Sequence, residues 1–234
     1  MAAVGRRPSP GAVRDLLLAG LMFSSGTIDA IAFLGLGRVF TSFQTGNLVF
    51  LGIRAGDAGG PDLLLVAGSL AAFAVGVVVA TRMVGASKGS SPWPRQVSST
   101  LALSLLAQTG FLALWIATSG RPGTGSAHAL VALSALAMGL QSGAVLSLGV
   151  AGVFTTAATA TVMLLMRDLA TGGASSSAER ARLAGVLGAL CAGAATGGVL
   201  LVHARTYAPV PPLVATAGVI AVASGALGSR RAIS

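Results

Sequence analysis

Cysteine, histidine and acidic side chains are scarce in this chain. The single cysteine, Cys191, has nothing to pair with inside one molecule, which excludes a disulfide framework and a cysteine-based metal site. The two histidines, His128 and His203, fall at the ends of apolar segments without a partner at metal-ligand spacing, and read as interfacial side chains. Only 9% of residues are charged, against about a quarter in soluble domains. Fifteen basic residues face six acidic ones, for a net charge of +9. This excess is no nucleic-acid footprint, because the basic residues sit at the ends of apolar segments instead of forming a stripe with aromatics. Phosphate loops, nucleophile elbows and zinc-protease motifs are missing, and Gly35-Leu36-Gly37 lacks the third glycine of a dinucleotide fingerprint. These absences argue for a protein that is not an enzyme and uses no cofactor or metal.

What is present is apolar length. Hydrophobic residues make up 54% of the chain, and the mean hydropathy is +0.85. Six segments, about 16–37, 62–84, 98–119, 128–150, 181–203 and 210–229, each come near the roughly 20 residues that a bilayer core demands. Two further segments, about 39–54 and 152–167, would cover only about 22–24 Å and read as half-helices or broken spans. The expected fold is an all-α polytopic bundle forming one integral membrane domain over 1–234, its partner the lipid bilayer. The basic start at Arg6, Arg7 and Arg14 resembles a signal peptide, but the apolar run continues to about Leu36 without a cleavage site, so it reads as a retained first helix. Trp93 and Trp115 are expected as interfacial anchors.

Charge orients the chain. With six crossings, Arg6, Arg7, Arg14, Arg82, Lys88, Arg95, Arg167, Arg180, Arg182, Arg230 and Arg231 lie inside, leaving Arg38, Arg54, Arg121 and Arg205 outside. Full crossing by both short segments would move Arg82, Lys88 and Arg95 out and bring Arg54 and Arg121 in, a weaker bias. The expectation is a multi-pass cell-membrane protein with both termini cytoplasmic.

A polar motif recurs. Val39-Phe40-Thr41-Ser42-Phe43-Gln44-Thr45-Gly46-Asn47 returns as Val153-Phe154-Thr155-Thr156-Ala157-Ala158-Thr159-Ala160-Thr161, each copy following an apolar span with a polar residue, Asp29 or Gln141. The next spans carry small residues four apart, Gly68, Ala72, Gly76 and Ala80, then Gly185, Ala189, Gly193 and Gly197, faces that let helix backbones approach within one chain or between chains. Two halves, about 14–120 and 127–230, are expected to form an internal repeat, inverted if each half crosses three times.

Gly26-Thr27-Ile28-Asp29-Ala30, Val39-Phe40-Thr41, Thr45-Gly46-Asn47 and Met138-Gly139-Leu140-Gln141 together resemble the YoaK-like family of small bacterial membrane proteins, a family named for having no known function. The resemblance extends over essentially the whole chain and implies a six-span membrane protein, with no activity attached. A second Thr-Gly pair is replaced here by Thr159-Ala160-Thr161.

The polar residues define the candidate site. Asp29 lies about 20 Å along the helix from Leu16, where a bare carboxylate is costly, so a protonated acid, a solvated cavity or a partner is expected. Thr41, Gln44, Thr45 and Asn47 offer hydroxyl and amide groups, and Gly46 is expected to let the helix open between them. With Gln141, Thr155, Thr159 and Thr161 they could bind a small solute or ion, or glue helices together. The leading expectation is a transporter or permease at the inner membrane, with proton coupling through Asp29. The alternative is a non-transporting scaffold or accessory subunit.

Overall fold

The computed structural model describes residues 9–85, 93–150, 158–171 and 176–228. Within them the chain is helical, in the order α1 (Pro10–Gly35), α2 (Gln44–Ala55), α3 (Leu63–Val84), α4 (Arg95–Ala117), α5 (Thr124–Leu146), α6 (Ala158–Ala170), α7 (Ser177–His203) and α8 (Val210–Gly228), with a 3-10 turn at Arg205–Tyr207 before α8. Six of these elements are long and apolar enough to cross a membrane. The two short helices, of 12 and 13 residues, are not; at 1.5 Å per residue they reach only about 18–20 Å.

Local signals mark the helix ends. The Ser9 hydroxyl accepts from the Ala12 N–H, with Pro10 opening α1. Asp62 accepts from the N–H groups of Leu64 and Leu65 at the start of α3. Ser176 accepts from the Glu179 N–H, with that glutamate in the first turn of α7. At the far end of α1, Gly37 at φ 102° and Arg38 at φ 63° turn the chain back. An L side chain rarely adopts the first of these angles, and glycine does so freely.

Contacts between helices give their directions. Leu21 and Ser25 of α1 meet Gln141 and Met138 of α5, so these two run antiparallel. Phe73, Gly76 and Ala80 of α3 meet Gly139, Leu140 and Gly143 in the same order along α5, so α3 and α5 are parallel. Phe23, Thr27 and Gly35 of α1 likewise follow Gly193, Gly197 and Leu201 of α7. Ser104 and Gly110 of α4 meet Ala137 and Leu133 of α5, and Gly20 and Ser24 of α1 meet Val219 and Pro212 of α8, both antiparallel. The six long helices therefore alternate in direction along the chain. Because α1 and α3 oppose each other, α2 returns to the side from which it came, and α6 does the same between α5 and α7.

The most buried helices are α1 and α5. One core cluster surrounds Ile28 and Ile31 of α1 and the following Leu36 together with Phe111 and Trp115, and a second surrounds Leu17, Leu21 and Met22 with Trp93 and Val97. Large apolar side chains such as Leu64, Leu106, Val199, Val202 and Val214 point outward, as lipid-facing surfaces require.

Two expectations are corrected. Both tryptophans are buried: the Trp115 indole N–H donates to the Arg205 carbonyl at 2.9 Å beneath the Arg205 guanidinium, and the Trp93 N–H donates to Ser98 Oγ at 3.1 Å. They fasten chain segments instead of floating at a lipid interface. The small-residue ridges are also only partly contacts. A Cβ on Gly76 would lie 2.5 Å from the Leu136 carbonyl oxygen, and one on Gly193 would collide with that of Phe23, whereas Gly68 and Gly185 have nothing within 4 Å. The closest backbones are thus at Gly76 and Gly193, with Gly26 and Gly139 on the facing helices.

This difference predicts opposite signs for one substitution. Gly76→Ala and Gly193→Ala should each lower the thermal midpoint in detergent, costing about 1–3 kcal/mol by overpacking. Gly68→Ala and Gly185→Ala should leave it unchanged or raise it, since alanine is the better helix former by about 1 kcal/mol. Equal effects at all four would remove the claim that the first pair are backbone contacts.

Candidate functional site

Between α1 and α2 the chain is not helical from Leu36 to Phe43, although its composition would permit a helix from about residue 39. The reason is competition for N–H groups. Asp29 Oδ1 accepts from the backbone N–H groups of Thr41 and Ser42, both at 2.8 Å, and from Thr41 Oγ1 at 3.3 Å. Asp29 Oδ2 accepts from Ser42 Oγ at 2.6 Å and from the Phe43 N–H at 3.1 Å. A carboxylate from α1 thereby caps α2 from a distance, at the end where a helix favours negative charge. The three backbone N–H groups can only donate to it, and no basic side chain among the described residues pairs with it.

Asn47 closes the same loop from the other side. Its Oδ1 accepts from the Phe40 N–H at 3.0 Å and its Nδ2 donates to the Phe40 carbonyl at 2.6 Å, so the side-chain amide pairs with one residue's backbone as a neighbouring strand would. Nδ2 also reaches Gln44 Oε1 at 2.8 Å and Ser69 Oγ at 3.2 Å. Gln44 donates to the Thr41 carbonyl and to Ser69 Oγ, and the Ser69 hydroxyl donates to the Phe40 carbonyl at 2.7 Å. Asn47, Ser69 and Thr41 are fully buried.

The sequence motif is thus partly gathered and partly dispersed. Asp29, Thr41, Gln44 and Asn47 share one network. Thr45 lies on the exposed side of α2. Gly46 does not open the helix, because α2 runs through it unbroken; a Cβ there would stand 2.8 Å from the Phe40 ring and 2.9 Å from that of Phe43, so its role is to seat two aromatics. Gln141 does not face Asp29: its Nε2 donates to the Leu21 carbonyl at 3.1 Å and to Ser25 Oγ at 2.9 Å, one to two turns away along α1. In α6, Thr161 is buried and Thr159 is exposed, while Thr155 lies outside the described residues.

Beside this network is a cavity of about 530 Å³, walled by α1, α7, the end of the non-helical loop and the first residues of α6. Among the described residues, Asp29, Ser42 and Thr159 are its polar lining, and Phe33, Phe40, Phe43 and Leu190 are among its apolar lining. Asn47 does not line it. Asp29 sits about 10 Å from the middle of α1, towards its C-terminal end, so the site is off-centre along that helix. Among the described residues no three His, Cys, Asp or Glu side chains come together as a metal site.

Across α1 to α8, residues 17–223 match the model of a family described as protein of unknown function DUF1275. The chain belongs to the DUF1275 family. It is 35% identical over 158 residues to the UPF0700 transmembrane protein YoaK of Bacillus subtilis (strain 168), an alignment covering 68% of each chain. No solved structure matches it. Family membership and six apolar helices make this DUF1275 protein a multi-pass integral membrane protein.

Three polar features of the DUF1275 protein escaped the sequence reading. Ser42 lies inside the repeated motif but looks like filler beside Thr41. Ser69 follows Gly68 in a ridge that reads as packing, and only the fold brings it beneath Phe40. Asp168 of α6 is buried and pairs with Arg180 of α7 at 3.4 Å, anchoring the second short helix.

The geometry makes Asn47 a loop support. Asn47→Ala would leave the Phe40 N–H unpaired, at about 1–3 kcal/mol, while the Phe40 carbonyl keeps its bond from the Ser69 hydroxyl. The expected outcome is a lower thermal midpoint and faster amide exchange confined to residues 40–47. Exchange at wild-type rates there would show that the amide does not hold the loop.

Proposed function

We propose that this DUF1275 protein is a permease for a small solute or ion, that its two halves form an inverted repeat, and that Asp29 is the acidic residue of its transport site, coupling flux to protons. The observation that carries this reading is the cavity with Asp29 in its wall, bordered by non-helical backbone and the start of the short helix α6. Irregular backbone inside a membrane is tolerated where it is buried or lines a cavity, and interrupted helices around an acid recur in secondary transporters.

The repeat is supported by reciprocal contacts. Gly26 abuts Leu190 of α7 as Gly139 abuts Phe73 of α3; Gly193 abuts Phe23 of α1 as Gly76 abuts Leu136 of α5. Aligning Gly26 with Gly139 places Ser142, not Gln141, opposite Asp29. Only one half then carries the acid.

Alternating helix directions and the charge bias support cytoplasmic termini, with the α2–α3 connection outside. Lys88 itself lies outside the described residues, so single cysteines at exposed described positions make the better test. In a Cys191→Ser background, Ala58→Cys should react with a membrane-impermeant maleimide from outside, and Ala178→Cys only after permeabilisation. The reverse pattern would invert the orientation.

The rival reading, a scaffold or accessory subunit, draws on a specific observation: Thr41, Gln44 and Asn47 spend their polar groups within the chain. Flux into proteoliposomes against a broad solute panel separates the two. Asn at position 29 can still accept from Thr41 and Ser42 and donate to Ser42 Oγ, losing only the Phe43 N–H. Asp29→Asn should therefore fold and abolish proton-dependent flux. Wild-type rate and pH profile in this variant would remove the coupling role, and absence of flux for every solute from well-folded wild type would favour the scaffold.

A further inference from the structure

We infer that the cavity beside Asp29 is a binding site for an organic ammonium cation, held by one carboxylate and a cluster of phenyl rings. The inference deepens the permease reading and rests on taking this cavity as the solute site. Its volume of about 530 Å³ falls within the range of small-molecule pockets.

Charge decides the sign of the ligand. Asp29 is the charged residue of the lining, and no basic side chain among the described residues pairs with it. The helix N-termini at this wall, those of α2 and α6, each offer only partial positive charge, so Asp29 carries the formal charge among the described lining residues.

Chemistry decides the kind of cation. An inorganic ion needs a shell of about six oxygens, but among the described residues Ser42 and Thr159 are the other polar side chains of the lining, and the Asp29 oxygens already accept five protein donors. An alkylated ammonium brings its own apolar shell and needs only negative potential and aromatic faces. Phe33 and Phe40 stack at 5.1 Å between centroids and Phe43 meets Phe40 edge-on at 5.3 Å, and all three line the cavity. Phe43 is 37% exposed, the most accessible ring of the three.

The test uses choline and its neutral isostere 3,3-dimethylbutan-1-ol, titrated into the purified full-length protein by calorimetry. Choline should bind saturably and the alcohol at least about tenfold more weakly. Asp29→Asn should weaken choline about tenfold and leave the alcohol unchanged, and Phe43→Leu should weaken choline several-fold. Phe43→Leu keeps the test decisive if the Asp29 variant is not recovered folded. Equal binding of the two probes, choline binding that ignores both substitutions, or no choline binding would each overturn the inference. Flux in proteoliposomes separates it from the permease reading: choline binding without flux of any solute upholds the cation site and retires transport, whereas flux of a neutral or anionic solute without choline binding does the opposite.

Discussion

Hydrocarbon offers no partner to a backbone N–H, and this one constraint explains the shape of the first half. The loop from Leu36 to Phe43 abandons the helix that would satisfy its backbone, so its N–H groups need acceptors brought from elsewhere. Asp29 supplies them for Thr41, Ser42 and Phe43, and Asn47 supplies one for Phe40. Each such group left bare in lipid would cost several kcal/mol, far more than the modest net value of a hydrogen bond in water. An acid that composition makes look anomalous is the counterpart of a broken helix.

Backbone proximity is the second organising constraint. Association of helices in lipid draws little from apolar burial, since acyl chains are as apolar as leucine, and depends instead on close packing. Glycine on both facing helices, Gly26 with Gly193 and Gly76 with Gly139, brings α1 onto α7 and α3 onto α5. These pairings cross between the two halves of the sequence, so neither half has its main packing partner within itself. The cavity lies along one of these seams, where Leu190 and Ala194 of α7 face α1.

The two seams are chemically unequal. The first half carries Asp29, Gln44 and Asn47, where the second has Ser142, Ala158 and Thr161 at the aligned positions.

Much of this was legible from residues alone. Apolar length determined the number of spans and the shortness of α2 and α6, because bilayer thickness sets that count without reference to partners. The small-residue spacing pointed to the helices that approach closely, and the motif around Asp29, Thr41, Gln44 and Asn47 marked the polar centre. The tertiary structure alone decided which glycine of each ridge touches a backbone, that Gly46 seats rings instead of opening a helix, and that Gln141 turns to Ser25 and not to Asp29. The division has a physical cause. Hydropathy and helix periodicity are local sums that one segment carries by itself, whereas the partner of a buried polar group depends on the register between helices distant in sequence.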